Sequence, residues 1–116
     1  MYKKWELLEE RRIEKMRGGR GVTLLKEIFL QQDFGSSMTH LFFVTVPPGG
    51  SVGSHEHSGD EEIYYILEGH GRVQDDDKQY DVGPYDAILT NSGHRHGIEN
   101  TGQKDLKMLA IIGKVV

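Results

Sequence analysis

The sequence contains no cysteine. That single absence excludes disulfide staples, thiolate zinc sites, iron–sulfur clusters and cysteine nucleophiles together, so any metal must be held by nitrogen and oxygen. Apolar runs are short, and none approaches the roughly 18 to 20 residues of a membrane span. The opening residues, Met1 to Arg12, are too charged for the apolar segment of a signal peptide. These absences predict a soluble, cytoplasmic protein with no membrane partner. Proline is scarce, at three residues, whereas glycine is plentiful at fifteen. Excess positive charge is also missing: fourteen basic residues face eighteen acidic ones, for a formal charge of −4. This balance argues against nucleic acid as a partner.

What is present suits one small globular domain: 116 residues, 36% hydrophobic and 28% charged. Charge is unevenly spread. Residues 1–20 carry seven Lys/Arg and four Glu, leaving seven against fourteen in residues 21–116. Within that arm Tyr2, Trp5, Leu8, Ile13 and Met16 share one face at 100° per residue, which predicts an amphipathic helix over Tyr2–Arg17 ended by Gly18 and Gly19. Its charged face is read as solvated, and its apolar stripe must pack on its own subunit or on a second copy.

From Val22 onward the helical period disappears. Short runs rich in β-branched and aromatic residues alternate with turn residues, predicting strands at Val22–Leu30, Met38–Val46, Glu62–Leu67, Gly71–Gln74, Gln79–Val82, Ala87–Thr90, Arg95–Glu99 and Leu106–Val115. Eight strands joined by short turns suit an antiparallel barrel or jelly roll. The triplet Asp75-Asp76-Asp77 reads as a hairpin tip, because no calcium-loop spacing follows it. On Met38–Val46 one alternate set, His40, Phe42 and Val44 or Leu41, Phe43 and Thr45, should line a pocket; periodicity does not say which.

Four of six histidines fall in two close pairs, His55-Glu56-His57 and His94-Arg95-His96. In an extended chain residues i and i+2 project to one side about 6.6 Å apart, so His55 and His57 can address one point. A turn at Ser58-Gly59-Asp60 returns the chain to an apolar strand that opens with Glu61 and Glu62, which must face opposite sides. One is a candidate ligand, as is one of His94 and His96. Imidazoles with a carboxylate suit Mn, Fe, Co, Ni, Cu or Zn, not Ca or Mg. An octahedral ion with four protein ligands keeps two positions for water or a small molecule.

At these residues the sequence resembles the cupin superfamily. Gly49, His55, His57, Glu62 and Gly69 occupy every fixed position of the first cupin motif, G-x5-H-x-H-x3-4-E-x6-G. Gly93, His96 and Asn100 match the second, in which Tyr85 and Asn91 replace its first Gly and its Pro. The resemblance runs from about Val22 to the end and implies an all-β fold, a single cupin jelly-roll β-barrel, here with an amino-terminal amphipathic helix. It implies a divalent transition metal on His55, His57, Glu62 and His96 in the barrel mouth, and a homodimer. Cupins of this kind include dioxygenases, oxalate decarboxylases, sugar isomerases and proteins without a known reaction, so the ligand class is an oxygen-rich small molecule, a carboxylate or a sugar. Tyr64, on the face of Glu62, and His94, two residues before His96, are the candidate acid–base residues. Val52 stands where oxalate decarboxylases place a substrate-gripping arginine, and Arg95 or Arg72 are the candidates to approach an anion instead. A metal-dependent binding or sensor module is the alternative to an enzyme.

Overall fold

The computed structural model describes residues 1–115. Ten strands form two antiparallel sheets: β1 (Glu10–Glu14), β2 (Val22–Leu30), β3 (Met38–Val46), β4 (Ser51–Glu56), β5 (Asp60–Glu68), β6 (Gly71–Asp75), β7 (Lys78–Val82), β8 (Ala87–Thr90), β9 (Arg95–Asn100) and β10 (Leu106–Lys114). One sheet has the order β1-β2-β3-β10-β5-β8, the other β4-β9-β6-β7. Among the described residues no ladder joins the sheets, so the jelly roll is a two-sheet sandwich and not the closed barrel expected from the sequence. No helix among these residues is long and apolar enough to cross a membrane.

Alternation places the core. Along β5, Glu62, Tyr64 and Ile66 are buried while Glu61 and Ile63 are exposed; along β10, Leu106, Met108 and Ala110 are buried. These residues meet Leu25, Val44, Val46, Val52, Val73 and Ile98 between the sheets. Phe42 joins this core with Val44, which settles the question left open on β3: the even-numbered set faces inward. Asp75–Asp77 form the β6–β7 tip, where Asp76 takes a φ of 53°.

The expected amino-terminal helix is absent. Residues 1–20 form short 3-10 turns at Trp5–Leu7 and Met16–Gly18 around β1, which pairs with β2 from Glu10↔Lys26 to Glu14↔Val22. The apolar residues that share a face at helical spacing are divided among different surfaces. Trp5 meets Phe43 edge-on at 4.8 Å on the outside of the larger sheet, under the Lys26 ammonium at 3.9 Å, whereas Ile13 and Met16 pack against the core. Isolated helices of this length are marginal in water, and pairing with an exposed sheet edge satisfies the same backbone groups while dispersing the apolar stripe.

The β1–β2 connection is fastened to β4 backbone to backbone. Ser51 N–H donates to Arg20 O and Arg20 N–H to Ser51 Oγ, each at 2.9 Å. A Cβ on Gly53 would lie 2.2 Å from Arg17 O, and one on Gly19 would lie 2.1 Å from Ser51 O, so only glycine permits this approach. Gly53→Ala is expected to lower thermal stability by about 1–3 kcal/mol, read as a drop of several degrees in the melting temperature; an unchanged melting temperature would contradict this packing.

Candidate metal centre

His55 lies near the end of β4, His57 just beyond it, Glu62 on β5 and His96 on β9. His55 and His96 are direct cross-strand partners, while Glu62 comes from the opposite sheet, so the cluster bridges the sandwich. A register shift between Val52 and His55 marks a bulge, the usual device for re-aiming a side chain. The loop after β4 is held by Gly93 N–H donating to His57 O at 2.7 Å, His57 N–H to His94 O at 3.0 Å and Gly59 N–H to Ser92 Oγ at 2.9 Å.

The donor atoms converge. His96 Nε2 is 2.9 Å from both His57 Nε2 and Glu62 Oε1 and 3.2 Å from His55 Nε2; His57 Nε2 is 3.1 Å from Glu62 Oε1. All four donors lie within 4.8 Å of one another, with His57, Glu62 and His96 buried. Each imidazole uses its other nitrogen elsewhere: His55 Nδ1–H donates to Gly53 O, His57 Nδ1–H to Asp60 Oδ1 and His96 Nδ1–H to Thr90 Oγ1, all at 2.8 Å. Three Nε2 atoms and a carboxylate therefore converge on one position, which either a proton or a metal cation between them can occupy. Metal–donor bonds of about 2.1 Å at right angles place neighbouring donors about 3 Å apart, which matches these separations. The residues fit a divalent transition metal.

Electrostatics agree. Hydrogen bonding to Glu62 holds the His57 pKa above its usual 6.5, against burial, with Asp60 adding to the rise. Burial pushes Glu62 up, but bonds to His57 and His96 more than offset it and leave the carboxyl below 4.5. Burial lowers His55. Between them a proton and a metal compete for one position.

Tyr64 is buried and stacks on His96, ring centroids 4.5 Å apart and 13° from parallel. Burial, then the charge of Glu62, raises its pKa well above 10.0, so the phenol keeps its proton. His94 lies elsewhere: its ring is exposed, with Nδ1 2.6 Å from Asp76 Oδ2, and its pKa is raised by that bond. It does not line the cavity over the cluster and serves the site through its backbone carbonyl. Glu61 also faces out, accepting a bond from Asn91 Nδ2 at 2.9 Å. Tyr85, at the glycine position of the second motif, keeps a φ of 73°, so the backbone retains the left-handed turn despite the side chain.

A cavity of about 80 Å³ opens over the cluster. Leu25, Phe42, Val44, Val52, Met108, Ala110 and Ile112 wall it, and Met16 and Arg17 close its rim. The cations sought from the sequence are engaged elsewhere, Arg95 on Ser54 O and Arg72 with Asp81. Arg17 was not foreseen, because nothing in its neighbourhood marks a hairpin tip that reaches back over a site forty residues later.

Comparison with known proteins agrees with this geometry. Residues 42–112 match the Cupin_2 family, described as a cupin domain. The chain is 41% identical over 101 residues to an oxalate-binding protein from Thermotoga maritima, covering 87% of this chain and 84% of that one. It is 33% identical over 87 residues, 75% of this chain and 70% of the other, to an uncharacterized protein from Methanocaldococcus jannaschii. Its fold superposes with a TM-score of 0.95 on the crystal structure of a predicted oxalate decarboxylase from Thermotoga maritima, at 36% identity over 99% of this chain and all of that one. With a matching family over most of its sheets and a His/Glu cluster able to bind metal, the chain belongs to the cupin family.

Proposed function

We propose that the protein binds a small carboxylate of the oxalate class at a divalent transition metal held by His55, His57, Glu62 and His96. The observation that carries this reading is the set of convergent Nε2 lone pairs and carboxylate beneath a compact apolar cavity. Such a metal, with positions left open by four protein ligands, supplies an acceptor for carboxylate oxygens and offsets their charge. The apolar walls exclude water and strengthen every charge interaction inside. Tyr64 donates a hydrogen bond toward the ligand. The compact volume favours a short acid over a sugar, and the 41% identical oxalate-binding protein supports the same class.

Binding without turnover fits the cavity best. Among the described residues, Tyr64 and Arg17 are its only titratable lining residues apart from the metal ligands, and neither offers a general base. A reaction is the second reading, supported by the similarity to the predicted oxalate decarboxylase. Titration calorimetry of oxalate into metal-loaded and metal-stripped protein tests the proposal. Binding is expected only to the loaded form; equal binding to both, or to neither, overturns it. Release of carbon dioxide from the loaded protein selects the second reading.

We also propose a homodimer. The outer face of the larger sheet carries two cross-strand apolar rows, Leu41-Ile111-Ile63-Leu89 and Phe43-Leu109-Tyr65-Ala87. Trp5 covers Phe43, but Ile63 and Leu89 remain 37% and 54% exposed. Leu89→Lys is expected to convert a dimer to a monomer by light scattering; a monomeric unsubstituted protein contradicts the assignment.

A further inference from the structure

We propose that Arg17, at the tip of the amino-terminal hairpin, is the residue that selects dianionic ligands by gripping the carboxylate oxygens turned away from the metal cluster. The inference rests on the function proposed above and adds the recognition element to it.

Three observations carry it. First, Arg17 lines the rim of the cavity whose floor is formed by His55, His57 and Glu62. Second, its guanidinium has no ion pair or hydrogen bond among the described residues, whereas Arg11, Arg20 and Arg72 each pair with a carboxylate. A cation left unpaired over an apolar cavity is placed for an anion that enters it, and the planar guanidinium fork matches a carboxylate with two parallel bonds. Third, the backbone is forced to put it there. Lys15 and Arg17 both adopt left-handed conformations, φ 48° and 53°, followed by Gly18 at 78°. Left-handed backbone is unfavourable for side-chain-bearing residues and persists only where the surroundings impose it. Here Lys15 N–H to Gly21 O and Gly19 N–H to Met16 O, both 2.9 Å, close the turn, and the contact of Arg17 O with Gly53 fixes it on the strand that carries His55.

The cavity thus has a positive pole at each end, a metal-binding floor and a guanidinium rim, with apolar wall between. A compact dianion satisfies both poles; a monocarboxylate satisfies one.

The test measures oxalate and acetate affinity by calorimetry for metal-loaded protein, its Arg17→Ala variant and its Arg17→Lys variant, with metal content determined for each. Alanine and lysine face the same left-handed backbone as arginine, so the turn is not relaxed. The expected result is equal metal content in all three, oxalate affinity weakened about 10- to 100-fold in Arg17→Ala, an intermediate loss in Arg17→Lys, and a far smaller change for acetate. Unchanged oxalate affinity in Arg17→Ala at equal metal content overturns this inference and leaves the proposed function intact. Equal losses for oxalate and acetate overturn the dianion selectivity. An unsubstituted protein that holds metal but takes no oxalate overturns the ligand class, and one that holds no metal removes the underlying reading and this inference with it.

Discussion

His96→Ala is expected to abolish stoichiometric binding of a divalent transition metal, while His94→Ala retains it. The two residues are separated by one position and differ in everything that matters. His96 is fully buried, sits within 3.2 Å of three other donors and has its Nδ1 tied to Thr90. The His94 ring is exposed and bonded to Asp76. Loss of a group that merely orients a metal ligand costs about 10- to 100-fold in affinity; loss of His96 itself exceeds that, because a coordination position is removed and the remaining lone pairs lose their geometry. Thr90→Val, which removes only the orienting hydroxyl, should fall between the two. Metal content after dialysis, measured by elemental analysis with circular dichroism as the check on folding, ranks the three. Retention of metal by His96→Ala, or its loss in His94→Ala, would show that the ligand set is misassigned.

The second large effect is on stability and its pH dependence. In the metal-free protein the His57 pKa is raised above 6.5, first by Glu62, so the interactions of protonated His57 stabilise the fold fully below about 6.5 and are lost as pH rises through the raised value. Glu62 is depressed below 4.5, and its contribution is present above that value and lost as pH falls through the lower one. The metal-free fold therefore loses the stabilisation of the His57–Glu62 pair as pH rises above 6.5 through the raised His57 value. Metal requires neutral imidazole and competes with that proton, so its affinity rises over the same interval. The two trends add in one direction: the increase in melting temperature on adding metal should be small near pH 5.5 and large near pH 8. At one hundred times the dissociation constant the stabilisation is about 2.7 kcal/mol, or roughly 5 to 15 °C for a domain of this size. Differential scanning fluorimetry across that range checks it, and a metal-induced shift that grows as pH falls would contradict the proton competition.

Much of the site was legible in the sequence because its signals are local. His55 and His57 two apart, and Glu62 five residues later after a glycine turn, are constrained by strand alternation, and the cupin spacing chose between Glu61 and Glu62 and between His94 and His96. The structure turns Glu61 toward Asn91 and the His94 ring toward Asp76. Seven of the ten strands coincide closely with predicted ones, because β-branched residues and turn residues alternate plainly there. β5 begins two residues early, at Asp60, and β1 and β4 were not foreseen. β4 is rich in Gly and Ser, with Val52 its lone large apolar residue, so its strand character comes from pairing with β9 and not from propensity. The arm failed for the opposite reason: five apolar residues fell on one helical face, yet tertiary pairing with β2 outweighed that local pattern. Arg17 was invisible since its role depends on where a hairpin tip lands, a long-range property fixed by glycines at 19 and 53.

X-ray absorption at the metal edge of the reconstituted protein tests the central claim most directly. The account predicts one ion per chain, bound by nitrogen and oxygen at about 2.0–2.2 Å, with imidazole scattering from three histidines that falls to two or vanishes in His96→Ala. An ion surrounded by oxygen alone, or a spectrum unchanged by His96→Ala, would place the metal elsewhere and contradict it.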